Sequence, residues 1–276
     1  VPGHSREPTT APGLNLPRAH ADAWAVHSGA RPGGAAARLP GVRVACSGTP
    51  LAQCNGADVV DAVRADPGQV ASWFAARGTP WAWRVPAGSG WPGDLLVAQR
   101  LAGVHAHEFA PVPLPGGTTV RTAGADDLDA LVAVDVAAFG GDPAGARTWC
   151  AGQLRTPGVE VVLVTGAVTG AVTGAHGPLA AAYTVASDGD CGPAVLLGGV
   201  GVVPAARRRG IAAGLSSWAL TRAFERGARF AHLQPDDDAA ARVYARLGFA
   251  EGRGLEVRAP LPGGTRAGGT RGTGPG

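Results

Sequence analysis

The chain contains no methionine, no lysine, one isoleucine (Ile211) and two asparagines (Asn15 and Asn55). Every side-chain positive charge is therefore an arginine. The lack of lysine excludes a Schiff base to pyridoxal phosphate and the lysine of a P-loop. The four cysteines, Cys46, Cys54, Cys150 and Cys191, form no CxxC pair. A zinc ribbon, a thioredoxin-like site or a disulfide scaffold is not expected. No run of ~18 apolar residues occurs, so no membrane span is expected. The opening residues VPGHSREPTT have no apolar core of a leader, so no signal peptide is expected in the chain, and the default location is a reducing cytoplasm. A net charge of +3 and a pI of about 8.9 make no case for nucleic acid.

The 276 residues are 45% hydrophobic, enough for one large core or two modest ones. Residues 1–20 are rich in Pro, Gly and Arg and read as a flexible arm. Residues 259–276 are of low complexity and read as a disordered tail. Between them, Pro111, Pro113, Pro115, Gly116 and Gly117 interrupt both helix and central strand. Residues 111–117 are therefore expected to link a domain at 21–110 to a second at 118–258.

In the second domain, residues 118–121 predict a strand and 126–139 a helix with Leu128, Leu131, Val132, Val136 and Phe139 on one face. Strands are predicted at 159–164, 179–185 and 194–203. The tandem VTGA repeat from Val164 to Ala175 reads as an expanded turn. The order continues as a helix at 210–226, a strand at 229–233, a helix at 239–247 and a strand at 249–257. This alternation implies an α/β fold with a central sheet. In the first domain, Asp66-Pro67 supplies a helix start and Gly78 its end. A strand is predicted at 81–85, a helix at 93–102 and an extended segment at 104–109. Residues 81–109 thus repeat the order of residues 230–257, with Gln99 where Tyr244 stands. A degenerate copy and an unrelated α/β segment both fit.

The densest chemistry lies at residues 200–215. The apolar stretch Val200-Gly201-Val202-Val203 ends at Pro204. An Arg-rich loop follows and opens a long helix with Ile211, Leu215, Ala219 and Ala223 at four-residue spacing. A helix start presents free N–H groups and the positive end of its dipole, and small residues there let a bulky anion approach. Arg207-Arg208-Arg209-Gly210-Ile211-Ala212 resembles motif A of the GNAT acetyltransferases, R/Q-x-x-G-x-G/A. Residues 31–36 also fit that short pattern but lack the preceding strand. A second motif, Asp237 to Phe249, resembles the family's N-x-x-A-x-x-x-Y-x-x-x-G-F through Ala240, Tyr244, Gly248 and Phe249, with Asp237 replacing Asn.

The resemblance implies a GNAT-like, mostly antiparallel central sheet flanked by helices, with an additional N-terminal α/β domain. It implies acetyl-CoA as cosubstrate and no metal. Val200, Gly201 and Val202 would bond the pantetheine arm through their backbone. Arg207, Arg208, Arg209, Gly210, Ile211 and Ala212 would hold the pyrophosphate, with Asp237 also on the coenzyme side. Tyr244 would be the general acid for the departing thiolate, although periodicity alone makes it a core aromatic. A phenol at pKa about 10 giving its proton to a thiolate at about 8.5 is uphill by roughly 2 kcal/mol, so a hydrogen bond is the weaker alternative role. His232 stands twelve residues before Tyr244, where relatives hold a glutamate, and is the expected base; a shifted loop would place Gln234 there instead. Asp188, Asp190, Asp236 and Asp238 could attract a cationic amine, while Asp237 or Asp238 equally suits a helix cap. His105 and His107 share a face without a third ligand. The tryptophans and Phe74 of the first domain read as core or as a pocket wall.

The expected activity is acetyl transfer to a primary amine, of a small molecule, by a monomer or homodimer without nucleic-acid or membrane partners. A non-catalytic acyl-CoA-binding module remains the alternative, as does thioester hydrolysis or O- or S-acyl transfer on the same fold.

Overall fold

The structure is a computed structural model that describes residues 13–49, 54–167 and 176–261. Most of the expected arm, most of the VTGA repeat and the tail from residue 262 lie outside the described residues.

Helix α1 (Leu16–Gly29) begins inside the stretch expected to be a flexible arm. Asn15 caps it by accepting the N–H of Arg18, and a proline fits its first turn, where no N–H is needed. Strands β1 (Ala35–Leu39), β2 (Val42–Cys46) and β3 (Gly56–Val59) follow, then α2 (Pro67–Ala75), β4 (Ala82–Pro86) and β5 (Leu95–His105). The second half runs β6 (Thr118–Thr122), α3 (Leu128–Phe139), α4 (Pro143–Leu154), β7 (Val159–Ala167), β8 (His176–Gly189), β9 (Gly192–Val202), α5 (Ile211–Glu225), β10 (Phe230–Leu233), α6 (Asp238–Ala245) and β11 (Ala250–Arg258).

Among the described residues these strands form one sheet of eleven, in the order β1-β2-β3-β4-β11-β5-β10-β9-β8-β7-β6. Only β3–β4 and β9–β10 pair in parallel. Each parallel pair is joined through a helix, α2 in the first half and α5 in the second. The expected mixed, mostly antiparallel sheet is therefore present. The two halves exchange strands at the centre. β5 pairs with β10 through Ala102–His105, and β11 pairs with β4 through Leu255–Arg258. β5 and β11 pair with each other between them.

The helix expected at 93–102 is thus a strand. Leu95, Leu96 and Val97 are exposed, so no apolar helical face is being buried there. Two ladders of backbone hydrogen bonds override the local preference. The proposed counterpart of Tyr244 at Gln99 goes with it, because Gln99 lies on β5 and no helix equivalent to α6 occurs among the described residues of the first half.

Alternation along each strand divides the core. Val162 and Val164 face Ile211, Leu215, Ala219 and Leu220 of α5, whereas Val161 and Leu163 face Leu131, Val132 and Cys150 of α3 and α4. In the first half Val70 and Phe74 of α2 pack on β2 to β4, extended by Trp73, Trp81, Trp83 and Trp91. These rings are core, as Phe74 stacks on Trp81 at 4.7 Å. Helix α1 crosses the sheet and touches strands of both halves. The intervening residues 111–117 strap α5: the Val112 N–H bonds Ser217 Oγ at 3.0 Å, and Leu114 packs on the main core.

Because β5 separates β10 from β11, neither half can complete its sheet alone. Cleavage of the chain between residues 111 and 117 at the gene level is expected to give two fragments without cooperative unfolding when expressed singly. Co-expressed, they should form a 1:1 complex. A well-dispersed amide spectrum from either fragment alone would contradict the exchange.

Candidate active site

Strand β9 pairs with β10 only at Ala194, Val195 and Leu196, opposite Phe230, Ala231 and His232. Beyond them β9 continues to Val202 while β10 ends at Leu233 and the chain turns away into α6. The β10-facing edge of residues 197–202 is therefore left open. A bulge between Ala181 and Tyr183 of the β8–β9 ladder bends this stretch. Gly199 has φ +58°, and a Cβ there would lie 2.8 Å from the Tyr183 ring. A Cβ at Gly198 would lie 2.5 Å from the same ring, so the bend depends on both glycines.

The opening is a cavity of about 160 Å³. One wall is Leu196 to Val200; the other is Gln234, Asp236, Ala240 and Tyr244. Trp24, Phe139 and Tyr183 complete the lining. Trp24 comes from α1, which sequence reasoning treated in part as an arm; the cap signal Asn15 followed by Pro17 was the available clue. Tyr244 is 9% exposed and packs edge-on against Phe249 at 5.8 Å. Burial, and then the negative charge of Asp236, push its phenol above the ordinary range, so it stays protonated at neutral pH.

At the end of β9, the segment Pro204–Ala206 forms a single 3-10 turn and leads to Gly210, which opens α5 with φ +82°. Side chains of Asn15, Asp66, Asp142 and Asp237 cap α1, α2, α4 and α6. No side chain caps α5, so its first-turn N–H groups carry no internal partner of that kind. Arg207 is not free: its guanidinium donates to the carbonyls of Val202 at 3.1 Å and Ala138 at 3.0 Å, pinning the loop. Arg208 and Arg209 are exposed. Arg208 has φ +63°, the sole non-glycine residue with positive φ among the described residues.

One expected site residue is placed elsewhere. His232 is wholly buried on β10 and does not line the cavity. Its ring lies 6.3 Å from that of His20, and burial followed by repulsion from His20 lowers its pKa from 6.5 to about 3. So weak a base, sealed from solvent, has no route for a proton; the assignment of His232 as base is corrected. Gln234, the shifted-loop alternative, does reach the cavity. Asp237 caps α6, its Oδ1 accepting the Ala240 N–H at 2.7 Å, and it does not line the cavity. Asp190 is held by Arg43 and Arg38, and Asp238 by Arg100. Asp236 alone of the four loop aspartates lines the cavity among the described residues. His105 and His107 stack at 5.3 Å, and no group of three or more His, Cys, Asp or Glu suited to a metal occurs among the described residues. No described helix is long and apolar enough to cross a membrane.

Residues 144–249 match the model of the acetyltransferase (GNAT) family, so the second half carries a GNAT domain. Solved structures resemble the chain over nearly its whole length. A GCN5-related N-acetyltransferase from Kribbella flavida shares 20% identity over 90% of this chain and 96% of its own, with a TM-score of 0.64. A tandem GNAT protein from the clavulanic acid biosynthesis pathway shares 14% over 91% and 96%, with a TM-score of 0.53. A GCN5-related N-acetyltransferase from Sphaerobacter thermophilus shares 16% over 82% and 79%, with a TM-score of 0.51. At these identities the likeness is one of fold: a C-terminal GNAT domain joined to a GNAT-like first half. No curated protein matches the chain.

The loop geometry sets a stability test. A left-handed non-glycine residue costs about 1–2 kcal/mol. Arg208→Gly is expected to leave urea stability unchanged or raise it by up to about 1 kcal/mol. Gly210→Ala should lower it by about 1–2 kcal/mol through its backbone alone, since a Cβ there meets nothing closer than 3.8 Å. The opposite ranking would show that Arg208 is not strained.

His20, His27 and His232 are buried, and each has its pKa lowered from 6.5 to about 3. Below pH 6.5 the unfolded chain takes up these protons and the folded chain does not. Stability is therefore full above about pH 6.5 and falls as pH drops toward 3. Denaturant titrations between pH 7 and 5, where ordinary carboxylates stay ionised, should show this loss; a flat profile would contradict the buried neutral imidazoles.

Proposed function

We propose that the chain transfers the acetyl group of acetyl-CoA to the primary amine of a small molecule. The observation that carries this reading is the junction of β9 and α5. An open strand edge, an uncapped helix start and two exposed arginines follow one another along the chain, and Tyr244 faces the cavity beside them. The open edge of residues 197–202 suits the amide groups of a pantetheine arm. The N–H groups of Ile211 and Ala212, with Arg208 and Arg209 close by, suit a pyrophosphate. Arg207 holds the loop in that shape. The strain at Arg208 fits a cation turned toward a ligand.

The corresponding position in the first half does not fit a second coenzyme. There Asp66 caps α2 by accepting from Gly68 and Gln69, which places a carboxylate where an anion would bind. Strand β3 ends at Val59, one residue past its last pairing with β4, so it offers no open edge of the length of residues 197–202. One acyl-CoA per chain follows.

Within the cavity the amine nitrogen attacks the thioester carbonyl carbon; the C–N bond forms as the C–S bond breaks. Tyr244, kept protonated, donates a hydrogen bond to the sulfur as it gains charge. With a phenol pushed upward, complete proton transfer to sulfur is more uphill than for a free tyrosine, so stabilisation rather than full transfer is its role. Asp236 attracts the ammonium form of the acceptor. The proton that the amine must lose leaves through water beside that carboxylate. Trp24 closes the cavity toward the first half, leaving room for a small acceptor rather than a folded protein surface.

Thiol release from acetyl-CoA with a panel of small amines tests the reading. Turnover should require an amine, and Tyr244→Phe should lower kcat by about a hundredfold with a smaller change in the KM for acetyl-CoA. Release without any amine would mean hydrolysis. Coenzyme binding with no release for any acceptor would mean a non-catalytic binding module.

A further inference from the structure

Two polar groups of the Tyr244 cavity have no partner of their own. Trp24, on α1, and Gln234, the first residue after β10, both line it. The indole Nε1–H of Trp24 and the amide Nε2 of Gln234 are shut off from solvent, and neither has a hydrogen-bond partner among the described residues. Both are donors. A buried donor left unpaired carries a desolvation cost that a ligand atom removes only by accepting. An indole N–H cannot accept in any orientation, so at Trp24 this demand does not depend on how the Gln234 amide is turned. The indole is also held in place. The His20 and His27 rings lie 5.7 and 5.1 Å from it, and the Arg84 guanidinium 5.1 Å.

The charges around the cavity define the ligand further. Asp236 is its one charged lining residue. Arg31 lies close enough to Tyr183 to act on its phenol, and there its positive charge outweighs the opposing charge of Asp135. Arg31 is buried, and its Nη2 bonds the Trp149 carbonyl at 3.2 Å while its Nη1 has no partner. No carboxylate is among the groups that act on its charge. A carboxylate on one wall, with two unpaired donors and an unbalanced guanidinium around it, suits a ligand that carries both signs of charge. Size restricts that ligand. A water-sized group needs about 10–15 Å³ of such space, so 160 Å³ holds on the order of ten such groups, enough for the acetyl thioester and an acceptor of about six heavy atoms.

Building on the acetyltransferase reading, we infer that the acceptor is a small amino acid, whose carboxylate accepts from Trp24 Nε1 and Gln234 Nε2 while its amine lies at Asp236 and Tyr244. The products are the N-acetyl amino acid and coenzyme A. The amine gives one proton to water beside Asp236, and the thiolate takes one up from water. Trp24 and Gln234 act as specificity-determining residues. An amine without a carboxylate leaves both donors unpaired and binds less well.

The test compares glycine, L-alanine, L-serine and β-alanine with their decarboxylated amines and their methyl esters in the thiol-release assay. The wild-type protein should favour the best amino acid over its decarboxylated amine by at least about tenfold in kcat/KM, the scale of one hydrogen bond to a charged group. The ester, which keeps a carbonyl oxygen and loses the charge, should fall between them. Trp24→Phe, which keeps a ring and removes the N–H, should bring the ratio down toward one, chiefly through the KM for the amino acid. Gln234→Glu, which keeps the size and sets a like charge against the carboxylate, should turn the preference toward the amine. A thermal midpoint matching that of the wild type with coenzyme bound shows that each variant is folded. Equal use of acid and amine by the wild type, use of the ester as readily as the acid, or a preference that survives both substitutions overturns the inference and leaves the acetyltransferase reading in place. If no amine is turned over, calorimetric titration of the coenzyme-bound protein with the same pairs decides it. Tighter binding of the amino acid that is lost in Trp24→Phe supports the inference, and equal or absent binding overturns it.

Discussion

The ladder between β5 and β11 holds the molecule together. Each of these strands belongs by sequence to one half and by its outer partner to the other. Backbone groups at the centre of a sheet must be paired, so the exchange makes each half a condition for the other's edge. It also fixes α1 across the sheet, and through α1 it brings Trp24 of the first half to the cavity of the second. The first half thus contributes a residue to the cavity of the second. Its own parallel strand β3 ends one residue past its pairing with β4, and Asp66 caps the start of α2.

The site itself follows from a local failure of pairing. Where β9 and β10 part, the backbone of Gly198 to Val200 is left without a β10 partner and open to the cavity. The bend that keeps it open needs Gly198 and Gly199 under the Tyr183 ring. The loop beyond is set by Arg207, whose two bonds to backbone carbonyls hold the start of α5 in line with the strand end. The ionisable groups around the cavity divide by environment. Tyr244 is held protonated by burial and Asp236. The imidazoles of His20 and His27 on α1 and of His232 on β10 are buried and held neutral, away from the cavity lining. Around Trp24, Arg84 lies 5.1 Å from the indole and is itself neutralised by Asp58 through bonds of 2.8 and 2.6 Å.

The sequence showed most where a signal was both local and long. The strand at 194–203, the Arg-rich turn and the helix after it form one continuous pattern, and the structure contains them within a residue or two. Asp66-Pro67 announced α2, and the equivalent Asp142-Pro143 announced α4, which the reading passed over. What could not be read was non-local. Residues 95–105 carry helix-compatible residues and become a strand because two partners far along the chain bond to both sides. His232 looked suitable by its spacing to Tyr244, but strand alternation sends it to the face under α1, where desolvation removes its basicity. Asp236, three residues past β10 by way of Gln234, reaches the cavity only because the chain turns there.

The central claim is that one acyl-CoA binds along the unpaired edge of β9 and the start of α5. Amide hydrogen exchange with and without coenzyme A measures this directly. Slowed exchange confined to residues 197–202 and 210–214, with β3 and the first turn of α2 unchanged, is the predicted result. Protection centred on β3 and α2, or none at either place under saturating coenzyme, would contradict it.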